Sequence, residues 1–331
     1  VTILNNFPNK KKEPQSFIYA IVPGNAAGMT RAVLKPLRPL AALAAYLHRR
    51  YKRQLIMTPK VADLLMAGTS GLVLPVPNKQ AFPEAFRTGS RLAYYSTLFN
   101  SIEINSTFYK IPLPATFSRW AEEVQPDFRF TVKLWRGITH VPDLRFMPVD
   151  VNRYLYAVHH LGDKKGSLLI QFPAGLQATA LEKLERLLAT ICAADSARTW
   201  KLAVEFRHRS WYVPEVEALL HRYQAARVLH DMPIRPASKE PPADPSLPPH
   251  PVPFVYLRFH GPAGDYKGGY PDASLRTWAE KAVGWLSAGK EVYVYFNNTI
   301  GDALADLTRL RALILDHPRP TSSSSAAAAI R

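Results

Sequence analysis

The chain of 331 residues contains one cysteine, Cys192. A single thiol excludes an internal disulfide framework and fits a reducing compartment, so a cytoplasmic location is expected. It lies in LERLLATICAA, a helical stretch, and reads as a core residue. Long apolar runs are also missing: no stretch of about 20 apolar residues occurs, which excludes a membrane-spanning helix. Several enzyme signatures are absent as well. There is no HExxH, HxH or paired cysteine for a metal. There is no P-loop, no GxGxxG opening a helix, and no GxSxG elbow. No cofactor and no resident metal are expected.

Acidic residues are scarce, with 26 Asp or Glu against 42 Lys or Arg and a net charge of +16. The imbalance is local. Residues 1–60 hold eleven Lys or Arg against one acid, Glu13, a net +10, which leaves +6 for the rest. Lysines and arginines on solvated helix faces account for +6, so the charge argues only weakly for a nucleic-acid partner. Residues 1–60 read as a basic, disordered extension with one short helix at Leu40–Lys52. A transit segment, a lineage-specific extension and translation from a misplaced start, with Met57 as candidate, are the competing accounts. The Ser- and Ala-rich tail, 318–331, is expected to be disordered.

Between these ends, over 65–317, short apolar runs alternate with helical patterns. The strand-like runs are Leu65–Gly71, Ser101–Ser106, Phe128–Leu134, Ser167–Phe172, Lys201–Phe206, Ala226–His230, Phe254–Phe259 and Glu291–Phe296. Helices are expected at Phe86–Phe99, Ala115–Val124, Val151–Leu161, Leu181–Ala194, Pro214–Arg222, Ser274–Ala288 and Ala303–Leu315. Eight strands alternating with helices predict an α/β fold, a TIM-barrel-like (β/α)8 barrel forming a single domain, with an open doubly wound sheet, which needs no particular strand count, as the alternative. Pro233–Pro253, with nine prolines, joins the sixth and seventh strands without a helix, as a wall or lid or as a surface insertion.

Each apolar run ends in a polar cluster, and strand C-termini gather on one face of such a fold, where ligands bind. Those clusters comprise Glu103 and Asn105, Lys133, Gln171, Glu205 with Arg207 and His208, Asp231, Arg258 with His260, and Asn297 with Asn298. His140 and Trp211 follow the third and fifth strands. Alternation puts Glu103 with Asn105, Glu205 with Arg207, and Arg258 with His260 on shared faces. Two carboxylates among three cations have two readings. Either they neutralise the cations, or one acts as general acid or base with a shifted pKa, Glu205 first and Glu103 second. A separated carboxylate pair would also suit glycosidase chemistry. Gly68–Gly71 offers a modest case for phosphate binding by turn N–H groups.

Seven segments, GTSG (68–71), EINSTFY (103–109), FTVKLWRGITH (130–140), QFP (171–173), AVEFRHRSW (203–211), YLRFHG (256–261) and YFNNT (295–299), together resemble the domain of unknown function 72 family, also called YecE-like. The resemblance runs from about Gly68 to Leu315. It implies a TIM-barrel-like fold and supplies no reaction. The chain departs from the family pattern at Leu72, where Trp usually follows GTSG, and at Asp306, where the next helix often carries Asn.

The leading reading is an enzyme acting on a small anionic or polyol substrate, a phosphorylated sugar or nucleotide. Glu205, Glu103, His208 and His260 would be catalytic. Asn105, Lys133, His140, Gln171, Arg207, Trp211, Asp231, Arg258, Asn297 and Asn298 would bind substrate. A nucleic-acid or nucleotide binding protein without catalysis and a metal-assisted phosphoester hydrolase remain the alternatives.

Overall fold

Parallel strands buried on both faces need apolar or small side chains at nearly every position, and the runs LMAGT, KLAVE and FVYLRF meet that demand. The computed structural model describes residues 63–233, 252 and 254–317. The basic extension 1–60 with its expected helix at Leu40–Lys52, most of the Pro233–Pro253 connection, and the tail 318–331 lie outside the described residues.

The strands are β1 (Leu65–Thr69), β2 (Ser101–Ile104), β3 (Arg129–Lys133), β4 (Lys165–Gln171), β5 (Lys201–Glu205), β6 (Ala226–Arg227), β7 (Leu229–His230), β8 (Phe254–Phe259) and β9 (Glu291–Phe296). The helices are α1 (Arg91–Leu98), α2 (Ser106–Tyr109), α3 (Pro114–Glu123), α4 (Arg136–Thr139), α5 (Pro148–Val158), α6 (Leu181–Ala194), α7 (Pro214–Arg222), α8 (Asp272–Ser287) and α9 (Ala303–Leu315). All strand pairs among the described residues are parallel. They form a four-stranded sheet, β1-β9-β8-β7, and a five-stranded sheet, β2-β3-β4-β5-β6. The architecture is α/β, with two parallel sheets in place of the single expected one.

Local chemistry sets several boundaries. Proline opens α3, α5 and α7, where a missing N–H costs nothing. The helix expected over Phe86–Phe99 is shorter. Two 3-10 turns, Lys79–Ala81 and Glu84–Phe86, precede it, and α1 starts where Ser90 Oγ accepts from Ala93 N at 2.9 Å. The expected sixth strand is divided at Val228. Its first half pairs with β5 and its second with β8, so Ala226–His230 changes partner midway.

The two faces of the strands belong to different apolar clusters. Leu65, Ala67, Leu168, Ile170, Leu202, Val204, Val255, Leu257, Val292 and Val294 pack toward the helices. The alternate residues, Met66, Leu169, Ala203, Ala226, Phe254, Tyr256, Tyr293 and Tyr295, form a second cluster on the opposite, inner face. In α6, Leu184, Leu187, Leu188 and Ile191 are fully buried at the expected helical spacing, and Cys192 is half-buried beside them. Gly68 is the closest strand contact. A Cβ there would lie 1.9 Å from Ser101 O, so only glycine lets β1 approach β2.

Candidate functional site

Counting by twos along each strand from the inner cluster places Ser70, Glu103, Lys133, Gln171, Glu205, Arg207, Arg258 and His260 on the inner face at the strands' C-terminal end. At their centre is Arg258, 2% exposed. Its Nε and Nη2 donate to Glu103 Oε2 and Oε1 at 2.9 and 2.7 Å, and its Nη1 to Glu205 Oε2 at 2.6 Å. Ser70 Oγ and Tyr256 Oη complete the shell of Glu103, each at 2.6 Å. Arg207 donates through Nε and Nη2 to the other oxygen of Glu205. Both carboxylates are fully buried. Burial alone would raise their pKa values, but the arginines outweigh it, holding Glu103 below and Glu205 well below the usual carboxylate range.

The lattice continues outward. Arg207 Nη2 lies 3.2 Å from His260 Nε2, and because a guanidinium only donates, that nitrogen accepts. His260 Nδ1–H then donates to Asp231 Oδ1 at 3.0 Å, which also accepts from the His260 backbone N–H at 2.8 Å. Burial lowers the His260 pKa despite Asp231, so the ring is neutral with its tautomer fixed. Tyr270 Oη donates to Asp231 Oδ2 and accepts from Gly261 N at 2.6 Å. Asn298 is fully buried and donates to Asp306 Oδ2 and Gly268 O, both at 2.8 Å.

Lys133 differs from these groups. Thr107 Oγ1 and Tyr154 Oη pin its backbone carbonyl at 2.7 and 2.9 Å. Its ammonium sits 4.1 Å from the Phe108 ring centroid and has no ion-pair or hydrogen-bond partner among the described residues. Burial first, and the charge of Arg258 second, bring its pKa down to about 8. His140 packs edge-on against the same Phe108 ring, centroids 4.8 Å apart, with Nδ1 2.9 Å from Thr139 Oγ1. Burial and Lys133 lower its pKa to about 4.

The remaining expected residues are dispersed in role. Asn105 precedes α2 and its Oδ1 is buried without a partner among the described residues. Gln171 Nε2 donates to Phe172 O at 2.5 Å, and Asn297 is half-buried. His208 Nδ1 accepts from Ser210 N at 3.2 Å, capping the turn Arg209–Trp211. Trp211 is fully buried beside Phe172 and Phe206, its indole N–H bound to Leu176 O at 2.7 Å, which leaves no surface for a ligand. The turn Gly68–Gly71 does not present free N–H groups. Those of Thr69, Ser70 and Gly71 are taken by Tyr95 Oη, Phe296 O and Glu103 O. Among the described residues, no group of three or more His, Cys, Asp or Glu is gathered to hold a metal, and no helix is long and apolar enough to cross a membrane.

The family described as "Protein of unknown function DUF72" matches residues 66–328. The chain belongs to the DUF72 family. Among curated proteins it is similar to UPF0759 protein YunF of Bacillus subtilis, 24% identical across 71% of this chain and 90% of that protein. It is 30% identical to UPF0759 protein YecE of Escherichia coli across 42% of this chain, a stretch that spans about half the YecE length (50%). Two solved DUF72 structures share the fold. That from Enterococcus faecalis has TM-score 0.60 at 19% identity, covering 77% of this chain and 97% of its own. That from Thermotoga maritima has TM-score 0.58 at 24% identity, covering 76% and 99%.

Against the family pattern, Leu72 packs half-buried on the main core. Asp306 keeps a polar partner for Asn298 and accepts from Tyr270 N at 3.2 Å. Sequence reasoning missed Ser70 and Tyr256 as partners of Glu103, and Tyr270 as the second partner of Asp231. A signal existed for the first two, since each sits two residues from an inner-face position.

Proposed function

We propose that this chain is an enzyme acting on a small anionic or polyol substrate, a phosphorylated sugar or nucleotide, at the C-terminal mouth of a closed (β/α)8 barrel in the cytoplasm. Closure is supported by two junctions. The parallel bridge Ser70–Glu103 joins β1 to β2, and Val228 N bonds Val204 O at 2.9 Å where β6 passes into β7.

The observation that carries the functional reading is the contrast between the arginines and Lys133. Arg258 and Arg207 are paired directly with Glu103 and Glu205, whereas the Lys133 ammonium makes no ion pair or hydrogen bond among the described residues and feels those glutamates only at longer range. An incoming anion supplies a direct counter-ion. Arg207, with 10% of its side chain exposed, stands behind it as a second donor. The two carboxylates expected to exchange a proton have their oxygens engaged and are held ionised, so that role falls to Lys133, whose pKa of about 8 suits proton transfer near neutrality.

The test is calorimetric titration of the full chain with inorganic phosphate and with sugar phosphates. Saturable binding that weakens above about pH 8, as Lys133 loses its charge, and that is lost in Lys133→Met, is the expected result. No binding by the native chain, or equal binding by the variant, would overturn the reading.

A further inference from the structure

We infer that Lys133 is a covalent nucleophile: its amine forms an imine with the carbonyl carbon of an aldehyde or ketone that carries an anionic group. The inference rests on the anion-binding mouth proposed above and names its substrate class.

Four observations converge on this one side chain. Its backbone is fixed, with the carbonyl held by two hydroxyls from α2 and α5. Its terminal nitrogen is not fixed, because neither a carboxylate nor a hydrogen-bond acceptor claims it among the described residues. An aromatic wall, Phe108, covers one side at 4.1 Å, and the residue is only half-exposed. Charges of both signs act on it: Arg258 and Arg207 oppose the ammonium and Glu205 and Glu103 favour it, and burial together with the arginines prevails. Desolvation and neighbouring cations are the two devices that make a lysine amine nucleophilic at neutral pH.

The other parts of the site fit a substrate of that class. Arg207 offers a guanidinium to the anionic group. The step balances without an oxidant or reductant. The neutral amine attacks the carbonyl carbon, a C–N bond forms and the C=O π bond opens, giving a carbinolamine. The C–O bond then breaks, the nitrogen lone pair closes the C=N bond, and both amine hydrogens leave on the departing water. His140, neutral because of its low pKa and packed on the same Phe108 ring, is placed to carry a proton between nitrogen and oxygen.

The experiment is reductive trapping. The full chain is incubated with dihydroxyacetone phosphate or pyruvate and sodium borohydride, and adducts are located by peptide mass mapping. One equivalent on Lys133, forming faster than on surface lysines and with a pH midpoint near 8, is expected. Lys133→Arg, checked for folding by circular dichroism, should lose it. An adduct absent from Lys133, or spread evenly over surface lysines in the native chain, would overturn the inference and needs no variant to be read. Phosphate binding that depends on Lys133 without an adduct would sink the imine alone. Loss of both would remove the anion-binding reading with it.

Discussion

Arg258→Met is the most informative single change, because it removes one cation from between two buried anions while keeping side-chain volume. In the native chain Arg258 makes three hydrogen bonds to carboxylate oxygens, two to Glu103 and one to Glu205. Without it Glu205 retains Arg207, and Glu103 retains only the neutral donors Ser70 and Tyr256. An uncompensated buried carboxylate remains. Removing one partner of such a pair costs about 3–5 kcal/mol, which for a domain of this size lowers the melting temperature by roughly 6–20 °C. The pH dependence follows from the direction of each shift. In the native chain both glutamates have lowered pKa values, so their contribution is complete above the unfolded carboxylate pKa of about 4 and is lost as pH falls below it. In the variant, burial acts on Glu103 without Arg258 and raises its pKa, so acid favours the folded state by neutralising it. The gap between native and variant stability should therefore narrow from pH 8 to pH 5, and Glu103→Gln should recover about 2 kcal/mol of the loss in the double variant. Urea denaturation at the two pH values reads all of this. A variant that loses less than about 1 kcal/mol, or whose deficit is the same at both pH values, would refute the reasoning.

Gly68→Ala forces a methyl group to within 1.9 Å of Ser101 O and 2.9 Å of Tyr95 Oη; it should cost about 3 kcal/mol or prevent folding, read from urea midpoints. Asp306→Asn should change stability by less than about 1 kcal/mol at pH 7, because burial already raises the Asp306 pKa and the lost charge offsets a weakened bond to Asn298. His230 is 6% exposed and its pKa is lowered to about 4 by burial. Its NMR signals should stay in the neutral form from pH 8 to 5, and its contribution to stability should fall as pH drops from about 6.5 toward 4. Titration with a midpoint above 6 would contradict its placement.

The α/β alternation was legible in the sequence because strand and helix have different periods. Leu184, Leu187, Leu188 and Ile191 announce α6 by their spacing, and the apolar runs announce strands buried on both faces. The divided sixth strand was not legible. Nothing in ARVLH distinguishes a strand that keeps one partner from one that passes from β5 to β8 at Val228. In the site, alternation correctly put Glu205 with Arg207, and Arg258 with His260, on one face. It could not say that Arg258 reaches both glutamates, since a residue type states its charge and not the length of the gap it spans. Lys133 was counted as one cation among three for the same reason. Its lack of a direct ion pair among the described residues follows from Glu103 and Glu205 facing the arginines instead, which residue type does not state.

The geometry bears directly on which chemistry the site supports. A glycosidase-type pair needs one carboxyl kept protonated as acid and the other ionised. Here a single guanidinium bridges the two carboxyl groups and stabilises the ionised form of both. Neither oxygen pair has a proton to give near neutrality, and Ser70, Tyr256 and Arg207 take up the lone pairs a base would use. The consequence is a division of labour. Two anions and two cations cancel in the buried layer and fix its geometry, with His260 and Asp231 extending the lattice outward. Lys133, its pKa brought down to about 8, makes no ion pair with that layer among the described residues. Substituting the glutamates should therefore damage folding before chemistry, and substituting Lys133 should do the reverse.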